Sequence, residues 1–516
     1  MELCKQDINT SVLTQSKYSQ MTVDDDFNLP ETKGDIEKII AKSGIVTAEE
    51  MFAEEGRVRI IGVVSFWVLY RSGGQIPSLC EYHGEIPFED NVNLDGINSG
   101  SQVECHCQLE DLSINLINSR KLEVRGLIGN HVHIYEEMQV QGAKDLENAE
   151  GMECRKKTVC ASQVMVAKRD VLKLREELEI PQNKPNIHEV LWRSIALRNM
   201  ETKAGDNKLL IRGEMEIFIL YRGEQEHLPV QSIFSVRSIY REFDCMGARE
   251  DMIVDVDYML GKGDVVIRED GDGESRMLGC EYNVDMNIRL YEDCRYDLLE
   301  DVYSPNARIV PKYEIMDYEN LKIRNAAKAK VSARKQIGGD KVKLLQICHV
   351  YGDVDVDDIV IGEKDVQVTG VVTCNVLYIA TGEDPMSCVE LEIPFDYSVQ
   401  TIPLCKEDSV RILPCLDQLQ ATLVNSEEME IKAQINLNMS VFEKGEEQVI
   451  TELEVLPIDE KEKAAMPGIV GYVVKAEDSI WSIAKKYYTT TQMIKSMNHL
   501  ESDTVKEGDR LLIVKS

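Results

Sequence analysis

Leu209, Ile211, Gly213, Met215, Ile217, Ile219 and Tyr221 alternate along the chain with Leu210, Arg212, Glu214, Glu216, Phe218 and Leu220. The first set is apolar throughout and the second holds the three charged residues, so one face is dry and the other largely wet. This period of two marks an antiparallel strand covering a core on one side. The pattern returns in VRIIGVVSFWVLYRSG and VQVTGVVTCNVLYIATGE, each time with a Gly and a Tyr eight residues apart: Gly62 and Tyr70, Gly213 and Tyr221, Gly370 and Tyr378. Many short runs of this kind, separated by Gly, Asn and Asp, predict β-sandwich-like domains. A Gly repeated on the apolar face predicts a bulge or a close approach of backbone.

The chain is therefore a threefold repeat. The first two copies are offset by 151 residues, with Pro30 matching Pro181, Lys33 matching Lys184, Ile36 matching Ile187 and Arg71 matching Arg222. The third copy lies 157 residues further on and lacks the Pro-containing lead. SRKLEVRG at Ser119 has counterparts at Ser275 and Ser426, and IPF at Ile86 recurs at Ile393. The leads DIEKIIAKSG and NIHEVLWRSI predict a short helix in each of the first two units. Expected boundaries are 1–150, 151–305 and 306–455 for the units, 456–467 for a charged, Pro-Gly-ended tether that leaves the last module some independent motion, and 468–516 for that module.

In the final module the periodicity changes. Tyr472, Val473 and Val474 form a strand-like run, Asp478 and Ser479 offer helix-capping oxygens, and Ile480, Ile483, Ala484 and Tyr487 fall on one helical face. A second short helix carries Met493, Ile494 and Met497, Asn498 breaks it, and Gly508 turns into the strand Leu511 to Val514. The order is β-α-α-β, with Trp481, Ile483 and Tyr487 as expected core. The segment YVVKAEDSIWSIAKKYYTTTQMIKSMNHLESDTVKEGDRLLIV resembles a LysM domain. That resemblance implies a binding groove between the strand-to-helix loop and the loop before the last strand. Its candidate partner-binding residues here are Asp478, Ser479, Ile480, Asn498, Leu500 and Glu501. Glu477 stands where the family usually has Gly, and Lys506-Glu507 where a Pro commonly precedes the turn Gly.

The three repeat units, through the LP-x4-DI-x-KII lead, the G-x7-Y strand and the late S-x-K-L-E-V strand, resemble the SPOCS domain of sporulation coat proteins. The whole arrangement, tandem SPOCS units followed by one LysM, is similar to a family of spore coat morphogenetic proteins. The fold class is thus mostly β: three tandem antiparallel β-sandwich-like domains and a small β-α-α-β LysM module. The resemblance implies a non-enzymatic scaffold in the mother-cell cytosol at the forespore surface, later in the spore coat. Its implied partners are the coat morphogenetic ATPase of the stage IV sporulation protein A type and other coat proteins.

Charge and residue chemistry narrow the alternatives. Against 58 Lys and Arg stand 91 Asp and Glu, and the net charge of −33 repels phosphate backbones, so nucleic acid is not an expected partner. The last module, with seven basic and six acidic residues, is near neutral. The start of the chain has no signal-peptide pattern, and the run IIGVVSFWVLY is about half of the ~20 residues that span a bilayer. The 14 cysteines are scattered and include no CxxC, which argues for reduced, buried thiols. Cys105-His106-Cys107 cannot put all three side chains on one metal, because alternate strand residues point to opposite faces. His131 and His133 read as surface residues, GKGD at Gly261 and GDGE at Gly271 as hairpin turns, and Asp353, Asp355, Asp357 and Asp358 as solvated turns or edge-strand guards. No Walker-type loop occurs, and no cofactor is implied. Two further classes carry a LysM module: a peptidoglycan reader at the wall or cortex, and a LysM-anchored wall hydrolase, which would need a catalytic Cys/His pair or paired carboxylates.

Overall fold

A computed structural model describes residues 2–74, 78–224, 230–337, 342–382, 386–458 and 467–514. Each repeat unit is six strands in two three-stranded antiparallel sheets. The first unit contains β1 (Glu2–Asn28), β2 (Ile36–Glu54), β3 (Arg57–Ser72), β4 (Leu79–Asn93), β5 (Gln102–Asn118) and β6 (Lys121–Glu147). The second contains β7 (Glu153–Glu179), β8 (Ile187–Gly205), β9 (Lys208–Gly223), β10 (Gln231–Asp244), β11 (Ile253–Arg268) and β12 (Met277–Tyr303). The third contains β13 (Ala307–Gln336), β14 (Leu344–Ile361), β15 (Asp365–Ala380), β16 (Met386–Gln400), β17 (Ser409–Leu423) and β18 (Glu428–Pro457). In every unit the sixth strand lies between the first and fifth, and the third lies between the second and fourth. The period-two apolar faces meet in one sandwich core per unit, as Val58, Ile60, Val64, Phe66, Val68 and Tyr70 do against Val124, Ile128 and Val132.

The predicted helical leads are strands instead, β2 and β8. Each is bulged, with register shifts at Ile39/Ala41 and Val190/Trp192. A bulge changes the phase of the alternation, so consecutive residues become buried on opposite faces. Ile36 belongs to the sandwich core, whereas Ile40 and Ala41 are buried outside it. The resulting i, i+4, i+5 spacing imitates a helical stripe. The last of three register shifts in the second strand of each unit lies opposite the repeated glycine: Ala48/Glu50 against Gly62, Arg198/Glu201 near Gly213, and Val356/Asp358 against Gly370. A Cβ on Gly62 would run into the carbonyl oxygen of Thr47 and the Phe88 ring, and one on Gly370 into Asp355 O and Phe395. The glycine is thus a site of close backbone approach beside a bulge, as its position on the apolar face predicts.

The Tyr of the G-x7-Y pattern ties the lead down. Tyr70 Oη donates to Gly34 O at 3.2 Å and Tyr221 Oη to Pro185 O at 3.1 Å. From the other side, Arg120 donates to the carbonyls of Lys33 and Pro30, and Arg276 to those of Lys184 and Pro181. The third unit has Glu427 after Ser426, where the others have Arg120 and Arg276, and it lacks the Pro lead that an arginine would hold.

Outside the sandwiches the three units close on one another about a common axis. First strands β1, β7 and β13 touch pairwise, as do sixth strands β6, β12 and β18. Matching residues converge: Ala143, Leu299 and Ile450 form one buried layer, and Val449 and Leu298 flank the place where Gly142 leaves no side chain. Farther along, Leu69, Leu220 and Leu377 share a core with Trp192, Phe218 and Trp67. Apart from Trp192 of β8, these residues come from the outer faces of β3, β9 and β15, which are therefore dry at one end.

Between the apolar layers lies a charged one. Glu104, Asp255 and Arg411 occupy equivalent positions on the fifth strands, opposite His133, Arg289 and Ser440. Arg411 pairs with Glu104 and stands 3.3 Å from Asp255, while Arg289 Nε reaches Glu104 at 2.6 Å and its guanidinium covers the Tyr135 ring. Burial alone would raise the Glu104 pKa, but Arg411 and Arg289 hold it below the ordinary carboxylate value. Removing one member of a buried ionic set strands the rest at a cost of about 3–5 kcal/mol. Arg411→Ala is expected to lose that much in urea unfolding at neutral pH. Because the depressed Glu104 stabilises the folded state only above its unfolded pKa, the penalty should shrink as pH falls below 4.5, which a pH series of unfolding curves would show.

Candidate functional site

The terminal module is β19 (Ile469–Val473), α1 (Ile480–Lys486), α2 (Thr491–Asn498) and β20 (Arg510–Val514), the predicted β-α-α-β order. Ser479 caps α1: its Oγ accepts from Ser482 N at 3.1 Å, and Ser482 Oγ accepts from Ser479 N at 2.9 Å, a reciprocal capping box. Thr490 caps α2, and His499 ends it in the left-handed conformation. The core is Tyr472, Val474, Ile480, Ile483, Ala484, Ile494, Leu511 and Ile513, with Trp481, Tyr487 and Leu500 packed against it.

Most of the six candidate binding residues prove to hold the module together. Ile480 is 1 % exposed and belongs to the core; its place at a loop end predicts an exposed contact, but the first turn of α1 faces inward. Leu500 is half-buried on the same core. Asp478 accepts from Lys475 N at 2.8 Å and from Tyr472 Oη at 2.7 Å, bonds that hold its carboxyl below the usual range and push the Tyr472 phenol up to about 12. Asn498 clamps the last strand to α2, donating to Ile494 O and Leu512 O at 2.8 Å each and accepting from Leu512 N. Ser479 is the cap. Glu501 alone of the six is exposed, beside exposed His499, Ser502, Asp503 and Thr504. The two loops therefore carry an open rim over a structural base.

Composition gave no sign that the module has a second, covered face. Trp481 Nε1 donates to Asp301 Oδ2 at 2.8 Å, Lys485 Nζ reaches both oxygens of Asp301 at 2.7 and 2.9 Å, and Thr491 Oγ1 donates to Glu153 at 2.9 Å. Tyr303 meets Trp481 edge-to-face at 4.8 Å, and Arg155 lies 5.6 Å above the indole. The module thus docks on the ends of β7 and β12, the stem of the second unit. Residues 459–466 of the expected tether lie outside the described residues; the module that follows is in contact with the second unit.

The other candidate groups resolve into structure. Cys105 and Cys107 are buried on the sandwich side of edge strand β5 with their sulfurs 3.5 Å apart, and His106 points the other way to Asp257 at 2.8 Å. Among the described residues, no group of three His, Cys, Asp or Glu is placed to hold a metal ion. His133 is no surface residue: its Nδ1 is buried, and burial lowers its pKa to about 4. GKGD lies inside β11, where Leu260/Gly263 is a bulge instead of a hairpin, whereas GDGE forms the expected turn with Gly273 at φ +80°. Asp353 and Asp355 sit on edge strand β14, where burial and then the neighbouring Asp353, Glu110 and Asp357 raise Asp355 to about 6.

Together these features define a class, a multi-domain binding protein of tandem β-sandwich units with a small docked recognition module. The description "SipL, SPOCS domain" matches residues 35–117, 186–268 and 343–424, and "LysM domain" matches 472–514. The chain has the SipL-like architecture of three SPOCS domains and a C-terminal LysM domain. Each SPOCS match spans the second to fifth strands, leaving the long first and sixth strands that build the axis outside it. Comparison with curated proteins and with solved structures returned no match. Both families are non-catalytic binding domains, LysM being a cell-wall-binding type of module, and no helix among the described residues is long and apolar enough to cross a membrane.

Two measurements test this geometry. Glu477 adopts φ +71° at the position where LysM domains usually carry Gly. A side chain there costs about 1–2 kcal/mol, so Glu477→Gly should stabilise the module by about 1 kcal/mol in denaturant unfolding. At the interface of the first two units, burial alone would lower His106, but Asp257 outweighs it and lifts the imidazole to about 9. A raised histidine stabilises fully below its unfolded pKa of 6.5 and ceases to do so as pH passes about 9. The melting-temperature gap between the wild type and His106→Gln should therefore be largest near pH 6 and close by about pH 10.

Proposed function

We propose that this sporulation-related, SipL-like protein is a non-enzymatic scaffold of spore coat assembly. It binds the coat morphogenetic ATPase of the stage IV sporulation protein A type through its LysM loops and helps localise that ATPase around the forespore, on the mother-cell side. One observation carries the reading: Trp481, the aromatic surface of α1, is engaged by Asp301, Tyr303 and Arg155 of the second unit, while the rim from His499 to Thr504 stays open. A docked module with a polar open rim suits a protein partner. The three fused units supply a rigid base, and linked sites raise effective concentration without strong single contacts.

The second reading, a peptidoglycan-binding protein of the wall or cortex, is favoured by the LysM match itself. The two separate in a paired assay of the full chain against the purified ATPase and against purified peptidoglycan. The scaffold reading expects saturable ATPase binding, weakened about tenfold by Glu501→Arg at unchanged circular dichroism. Peptidoglycan binding without ATPase binding would overturn it.

A further inference from the structure

Among the described residues the fourth strand of each unit is a sheet edge, with no further strand paired to its outer side; on β10 the carbonyls of Ser232 and Tyr240 accept side-chain hydrogen bonds from Lys184 and Arg241. Pairing to the third strand sets the three edges in common register: Gly62 opposes Phe88, Gly213 opposes Ile239, and Gly370 opposes Phe395. In that register the outward positions of β4 are His83, Glu85, Pro87 and Glu89, and those of β16 are Glu390, Glu392, Pro394 and Asp396. Both edges carry the features that block strand addition, charge and a proline with no N–H to offer. The same positions of β10 are Phe234, Val236, Ser238 and Tyr240. Phe234 is 59 %, Val236 44 % and Tyr240 53 % exposed. No proline interrupts the edge, and the large side chains make an apolar stripe beside it.

Charge separates β10 from its counterparts as well. β4 carries Glu81, Glu85, Glu89 and Asp90 with no Lys or Arg, and β16 carries Glu390, Glu392 and Asp396 with none. In β10, Arg237 and Arg241 balance Glu242 and Asp244, and the Arg212 guanidinium of the adjoining strand lies 5.4 Å from the Tyr240 ring. On a chain of net charge −33, this edge is one where a second acidic copy can approach without repulsion.

We propose that β10 is a self-association edge, on which a second copy of this chain adds its own β10 antiparallel to join two three-stranded sheets into one of six. A twofold axis at Ser238 pairs that residue with its symmetry mate. It sets Val236 opposite the partner copy's Tyr240 on the apolar face, and Arg237 opposite Ile239 on the other, so no like charges face each other. The main-chain bonds supply the attraction and the stripe supplies the register.

The test is sedimentation equilibrium of the full chain up to about 100 µM, a range suited to a small interface. The wild type should reach twice the chain mass. Ser238→Pro copies what the first and third units already carry at this position, so it leaves the unit folded, and it should weaken the dimer at least tenfold. Val236→Glu, the counterpart of Glu85 and Glu392, should do the same, with thermal unfolding confirming the fold of both variants. A wild type that stays monomeric throughout, or a folded Ser238→Pro chain that dimerises as tightly as the wild type, overturns the proposal. So does a wild-type chain that takes up an unrelated extended peptide at β10 while remaining a monomer.

Discussion

Three sixth strands meeting along one axis impose the constraint that the rest of this molecule obeys. Where Gly142, Leu298 and Val449 converge, one position must give up its side chain for the other two to pack. Where Glu104, Asp255 and Arg411 converge, three carboxylates would repel, and the third copy supplies the compensating arginine. The repeats therefore cannot be interchangeable. Each has diverged at the axis to complement its neighbours while keeping the bulge, glycine and tyrosine that make its own sandwich. Close packing of this kind tolerates small changes in volume poorly, so a change at one of these axial positions calls for a matching change in the neighbouring unit.

The sandwich class, the threefold repeat and the LysM order were legible because they depend on local periodicity and short-range turn chemistry. Gly62 announced a close approach, and Ser479 announced a cap. What stayed hidden was everything that depends on one unit meeting another. Leu69, Trp192 and Leu220 sit in runs that local reading assigns to a helix or to an ordinary wet face, since only the neighbouring unit makes that face dry. The bulge at Val190/Trp192 concealed the strand for the same reason, by shifting the phase of the alternation.

At the candidate site the same limit applied differently. The loops of the LysM module were placed by resemblance, but placing a loop does not reveal which of its side chains look inward. Asp478 and Asn498 spend their polar atoms on Tyr472, Lys475, Ile494 and Leu512, and Ile480 fills the core. Of the six candidates only Glu501 is exposed. Nor could the sequence pair Trp481 with Asp301, 180 residues apart, and yet that contact joins the LysM module to the second SPOCS unit.

The account stands on the three units forming one body. Its most direct measurement is urea unfolding of the full chain carrying Trp481→Phe, followed together by tryptophan fluorescence, which then reports Trp67 and Trp192 in the shared core, and by far-ultraviolet circular dichroism, which reports all strands. One body predicts coincident transitions with a steep denaturant dependence suited to the large surface released. Fluorescence change well before the loss of strand signal, with the sandwiches surviving as separate units, would contradict it.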